Sequence, residues 1–209
     1  MTVGSSYDSD FEGYDLDPLK MECADEIQRV SDLVGSLKIV PCNTPEQKVK
    51  LKEQVFCWFN DLARLKQSAS EEDLEVLQDS ELTMSRLDDA LDDEDMPLKY
   101  LTVVQDDKIQ GVCSYGDYGH DSIGIGALIT APSNLNIKPN QDCIRGAGTK
   151  LLLEVERVCL LTGKSQIKLA PTSTAGVFYK KHKFVPLDTK RHVLSTQAIM
   201  QQYTKRELD

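Results

Sequence analysis

The 209-residue chain lacks the features that most often announce a function. Its three histidines, His120, His182 and His192, share no metal-ligand spacing, so no structural metal is expected. Six cysteines are scattered at 23, 42, 57, 113, 143 and 159 with no C-x-x-C pair. They read as reduced, mostly buried thiols of a cytosolic protein rather than disulfides. No apolar run approaches the roughly 18–20 residues of a membrane span. The opening "MTVGSSYDSDFEGYDLD" lacks the basic start and apolar core of a secretory signal. A cytoplasmic location away from membranes is expected. Basic residues are also short: 24 Lys and Arg against 34 Asp and Glu, net −10. That excludes general nucleic-acid binding, which needs clustered cations for phosphate contacts.

The deficit is uneven. Residues 1–97 carry a net −15 and residues 98–209 a net +5. The basic half suits a small polyphosphate, and the acidic half suits a cationic partner. Hydrophobic content of 40% and charged content of 28% fit one globular domain, expected over 17–209 after an acidic, disordered tail at 1–16.

Several elements have legible ends. Asp17, Pro18 and Gly35 bound a helix over 17–35 whose apolar stripe is Cys23, Ile27, Val30 and Val34. "SLKIVPC" is a short strand. "TPEQ" at 44–47 is a capping box opening a helix to about Lys66, with Leu51, Val55, Trp58, Leu62 and Leu65 on one face. Another helix follows from Ser70 to about Asp92 along Leu74, Leu77, Met84, Leu87 and Leu91, and an acidic linker ends at Pro97. Residues 36–97 thus form a first strand and two helices. Over 98–195 the reading changes to strands "LKYLTVV", "KIQGVCSY" and "SIGIGALIT", a loop at 132–143, a helix to about Leu161, strand "SQIKLA", a short helix capped by Ser173, and closing strands "FVPL" and "RHVLS". A last helix is expected in 196–209.

The sequence "IRGAGTKLLLEVE" at 144–156 places Gly146 and Gly148 directly before a buried helix. A helix start offers unpaired N–H groups and partial positive charge, and glycines let an anion come close. Arg145 and Lys150 add charge. The spacing is not that of a P-loop, because no glycine precedes Lys150. Nor is it a dinucleotide fingerprint, because Leu151 stands where the third glycine belongs.

Taken together, "IGIGALITAP", "RGAGTKLL", "SQIKLA" and "AGVFYKKHKF" resemble the GNAT superfamily of acetyltransferases. The family's V-x-P strand end is Thr130-Ala131-Pro132 here, its anion loop Q/R-x-x-G-x-G/A is 143–148, and its N-x-x-A-x-x-F-Y-x-K-x-G-F helix is 172–184. The clear resemblance covers about 122–187. Cys143 replaces the family's Gln or Arg, Thr172 its Asn, and Lys183 a Gly.

The resemblance implies an α/β fold: a mixed, mostly antiparallel sheet flanked by helices, with an extra helix in front. It implies acetyl-CoA as cosubstrate and acetyl transfer to a primary amine of a small molecule or protein. Arg145, Gly146, Ala147, Gly148, Thr149 and Lys150 would hold the pyrophosphate. Leu128, Ile129, Thr130 and Phe178 would line the pantetheine arm, and Tyr179 would be the general acid. His120, Asp121 and Asp117, in "GDYGHD", are the nearest candidates for a base, though that stretch also reads as a plain turn. Lys180 and Lys181 fit either a solvated face or a lip for the CoA 3′-phosphate. The departures leave a second function open, a CoA-binding or interaction module without transferase activity. The acidic helices suit a cationic acceptor such as a polyamine. Neither the acceptor's identity nor the oligomeric state is legible.

Overall fold

The computed structural model describes residues 37–93, 95, 97–135, 137 and 144–206. The tail at 1–16 and the helix expected over 17–35 lie outside the described residues, as do Cys23, Cys143 and most of the loop before Ile144.

The first helix among the described residues, α1 (Pro45–Lys66), starts at the capping box foreseen from "TPEQ". Thr44 Oγ1 accepts from the Gln47 N–H, and Gln47 Oε1 accepts from the Thr44 N–H at 3.1 Å. Leu51, Val55, Trp58 and Leu62 are its buried face. Helix α2 (Glu71–Asp92) is capped by Ser70 and buries Leu77, Met84, Leu87 and Ala90. Spacing of three and four residues sets both stripes.

Among the described residues seven strands form one sheet: β1 (Lys38–Pro41), β2 (Lys99–Gln105), β3 (Lys108–Asp117), β4 (Ser122–Thr130), β5 (Gln166–Leu169), β6 (Val185–Pro186) and β7 (His192–Ser195). Their order is β1-β2-β3-β4-β5-β7-β6. Only β4 and β5 pair in parallel, as a crossover through helix α3 (Ala147–Leu161) requires. Between β5 and β6 lies α4 (Gly176–Lys181), and α5 (Thr196–Arg206) ends the described chain. The expected strand "FVPL" shrinks to Val185–Pro186. Ser173 does not cap α4. Its hydroxyl donates to Glu75 and Asp79 on α2, and α4 has no side-chain cap.

Each face of the sheet has its own core. Leu101, Val103, Cys113, Ile123, Ile125 and Ile167 pack with Leu151, Leu152 and Val155 of α3. Tyr100, Val112, Ala127 and Ile129 pack with α1 and α2. Strict alternation along "SIGIGALIT" would put Ile123, Ile125, Ala127 and Ile129 on one side. They divide between the two because β4 carries a bulge: Ser114 pairs with Ala127 and Tyr115 with Ile125, leaving Gly126 unmatched. Beyond Gly126 the strand shows its other set of side chains to each face.

Cys42, Cys113 and Cys159 are buried, in line with the mostly buried thiols expected, and Cys57 on α1 is exposed. Among the described residues no helix is long and apolar enough to cross a membrane. Among them, too, no group of three or more His, Cys, Asp or Glu could hold a metal ion.

Candidate functional site

The bulge coincides with a parting of strands. β5 pairs with β4 only from Ser122 to Ile125, so the β4 edge from Gly126 to Thr130 is left uncovered by β5. The Ala127 N–H donates to Ser114 Oγ at 2.9 Å, and the Ala131 N–H donates to the Gln110 carbonyl at 2.9 Å, both toward β3. By strand alternation Leu128 and Thr130 turn their N–H and C=O groups to the opened edge. Ile129 bonds toward β3, and its side chain lies on the α1–α2 side.

The N-terminus of α3 faces this opening. Asn134 fixes the approach. Its amide donates to Gln110 Oε1 at 2.8 Å, and its Oδ1 accepts from the Ile144 N–H at 3.0 Å, so the intervening loop is closed at its base. Gly146 sits at the N-cap with φ +92°, a conformation that a side chain disfavours. Among the described residues no side chain caps this end, which leaves the first-turn N–H groups of α3 to an anion. Gly148 answers a different need. A Cβ there would stand 3.5 Å from Phe178, 3.6 Å from Leu128 and 3.7 Å from Thr130. It is the floor of the passage between turn and cleft.

Helix α4 supplies the third wall. Phe178 meets Tyr179 edge-on at 5.1 Å, and His182 packs at 4.8 Å from Phe178. His182 Nε2 lies 3.4 Å from Thr149 Oγ1, joining the end of α4 to the start of α3. Tyr179 is 6% exposed. Burial pushes its phenol well above the ordinary tyrosine range, and the Cys113 thiol adds to this, so it stays protonated at neutral pH. Among the described residues nothing hydrogen-bonds to the Tyr179 hydroxyl.

Asp79 on α2 closes the cleft from the far side. Its Oδ2 accepts from the Thr174 N–H at 2.7 Å, the Thr174 hydroxyl at 2.7 Å and the Ser173 hydroxyl at 3.0 Å. Burial works to raise its pKa, but these bonds and one from Thr172 outweigh that and hold the carboxyl below its ordinary value. The result is a cavity of about 220 Å³ between α2, β4, α3 and α4, lined by Asp79, Thr83, Leu128, Gly148, Phe178 and Tyr179 among others.

Most of the residues singled out from the sequence therefore gather in one place: Leu128, Ile129, Thr130, Gly148, Phe178 and Tyr179 line the cavity, with Gly146, Ala147 and Thr149 beside it. Arg145 is exposed at the turn, whereas Lys150 is 6% exposed and buried along α3. The candidate bases lie elsewhere. Asp117 pairs with Lys164 at 2.9 Å and the Asp121 carboxylate bonds Ser165, stitching the start of β4 to the turn before β5. At the rise of a strand this is roughly 15 Å from Gly126. Cys113 is fully buried with its thiol pushed up, which removes it as a nucleophile. Asp79 and His182 were not picked out from the sequence. The only available signal was that Asp79 and Thr83 fall on one helical face.

No protein-family model matches the chain, and no curated protein matches it. Solved structures do. A protein from Exiguobacterium sp. 255-15, named as a candidate acetyltransferase, is 17% identical with a TM-score of 0.51, over 80% of this chain and 99% of that one. The PaiA N-acetyltransferase from Thermoplasma acidophilum, in complex with coenzyme A, is 17% identical with a TM-score of 0.48, over 77% and 98%. A protein from Desulfovibrio desulfuricans, named as a candidate acetyltransferase of the GNAT family, is 16% identical with a TM-score of 0.48, over 77% and 99%. At such identities the likeness is one of fold. The mixed, mostly antiparallel sheet expected from the sequence is the sheet found.

Proposed function

We propose that the chain is an acetyl-CoA-dependent N-acetyltransferase acting on a primary amine. One observation carries this reading: the uncovered β4 edge, the uncapped α3 N-terminus and the buried Tyr179 phenol open onto a single passage. An extended thiol arm attached to a pyrophosphate needs these surfaces in the order α3 N-terminus, β4 edge, phenol. The bare Cα of Gly148 is the fit test, because any larger side chain would intrude where the arm must pass.

The N–H groups of the α3 first turn would hold the pyrophosphate, with Arg145 adding charge. The Leu128 and Thr130 main chain would pair with the arm as a strand does. Bound acetyl-CoA would supply an activated acetyl thioester. An N–H from the β4 edge would favour negative charge on the thioester oxygen as the amine attacks. As the N–C bond forms and the C–S bond breaks, the Tyr179 hydroxyl would donate its proton to the departing sulfur and regain one from solvent, to which the amine's proton passes. The same buried phenol favours transfer over a merely CoA-binding module, since packing alone leaves no reason to keep an unbonded hydroxyl in the cleft.

Incubating the purified protein with acetyl-CoA and a panel of primary amines, and following thiol release, tests the reading. Amine-dependent release is expected. CoA binding without release from any amine would leave the non-catalytic module.

A further inference from the structure

Helix α2 contains nine acidic residues and one basic residue, Arg86. Most of the acids are exposed, and Asp79 is committed to Thr174 and Ser173. The cationic side chain sits in a particular place. A second, smaller cavity of about 30 Å³ opens on the other side of Tyr179, bounded by Arg86, Gly126, Ala127, Leu169, Pro171 and Tyr179. It shares Thr83, Leu128, Thr172, Ala175 and Tyr179 with the larger cavity, so the two are neighbouring ends of one passage. Arg86 is the only charged side chain lining this end among the described residues. Asp89 stands one turn away on the same helix, within ordinary reach of an i, i+3 pair. Even so, among the described residues Arg86 makes no ion pair.

Asp79, Thr83 and Arg86 follow one another at four and three residues, so they share a face of α2. Arg86 lies about 10 Å beyond Asp79 along the helix axis. The larger end leads to the α3 turn and the smaller end leads away from it. A guanidinium presents a planar fork of donors that fits a carboxylate in two places at once. Arg86 is a lone cation there, which matches the single charge of a carboxylate better than the nearly double charge of a phosphate.

We infer that Arg86 anchors a carboxylate on the acceptor, so that the acceptor is an amino acid or similar small zwitterion and not a polyamine. This rests on the acetyl-transfer reading and specifies its substrate class. The amine would lie toward Tyr179 and the carboxylate toward Arg86. The acids that suggested a cationic acceptor then serve the outer surface of α2.

The test uses matched pairs and two independent readouts. The first is transfer to amino acids, to their carboxamides and to aminophosphonates by wild type and Arg86→Ala. The second is calorimetric binding of N-acetyl amino acids and their amides to the CoA-loaded protein, which needs no turnover. Carboxylates should be preferred in both. Arg86→Ala should raise the KM for the carboxylate acceptor roughly 10- to 100-fold, leave the carboxamide unchanged and leave CoA affinity unchanged. Transfer that ignores the carboxylate, or prefers the phosphonate, overturns the inference and leaves the transferase reading standing. Arg86-dependent carboxylate binding without transfer to any amine supports the anchor and overturns the transferase. Equal binding of acid and amide overturns the anchor.

Discussion

The main-chain N–H of Phe184 donates to the carbonyl of Tyr179 at 3.1 Å, and the two rings meet edge to face with centroids 5.5 Å apart. The Lys183 N–H donates to the Lys180 carbonyl at 3.1 Å, and Lys183 has φ +63°. This is a Schellman ending with lysine at the position that glycine usually takes. It holds the Tyr179 ring against the core from behind.

Lys183→Gly should therefore stabilise the fold. The left-handed conformation costs a non-glycine residue about 1 kcal/mol or more, partly offset by the greater freedom of glycine in the unfolded chain. Urea unfolding should show a gain of roughly 0.5–1 kcal/mol. A loss would mean that the Lys183 side chain makes a contribution that its exposure does not suggest.

Tyr179→Phe keeps the ring and removes the proton. Turnover should fall by about 10²-fold or more, while CoA affinity stays within about twofold. Single-turnover thiol release with parallel calorimetry separates the two. An unchanged chemical step would remove the hydroxyl from the reaction.

Asp79→Asn probes the clasp between α2 and the loop before α4. The folded carboxyl is held below its ordinary pKa, so its contribution is complete above about pH 3.9 and is lost as pH falls through the lower folded value. At pH 7 the variant should be less stable by roughly 1–3 kcal/mol. The gap between wild type and variant should narrow as pH falls below about 3.9. A gap independent of pH would point to packing and not to the carboxylate.

Gly146→Ala places a side chain at φ +92° and should cost about 1–2 kcal/mol in unfolding free energy. Gly148→Ala should cost much less, because its Cβ finds ordinary contact distances of 3.5–3.7 Å. Equal costs at the two positions would contradict the separate roles assigned to them.

How far the sequence speaks differs from element to element. Thr44 and Gln47 announce the start of α1 because a capping box is local, and the stripe from Leu51 to Leu62 needs only helical spacing. Gly146 and Gly148 are legible for the same reason. The division of β4 at Gly126 is not, since alternation along the strand looks unbroken until Ser114 is seen to pair with Ala127. Asp79 meets Thr174 across 95 residues of sequence, and no pattern links such positions in a single chain. Arg86 reads as a lone base in an acidic helix until the chain brings Pro171 and Tyr179 beside it. Asp117 and Asp121 are near β4 in sequence, but they pair with Lys164 and Ser165 at the end of the strand away from the cleft.

Titration of coenzyme A into wild type and Gly148→Val, side by side in the calorimeter, is the most direct test of the passage. Wild type should take up one CoA per chain. The valine variant, with its unfolding midpoint close to that of wild type, should lose at least about tenfold in affinity. Absence of heat from wild type at two temperatures, or equal affinity in the two proteins, would contradict the account.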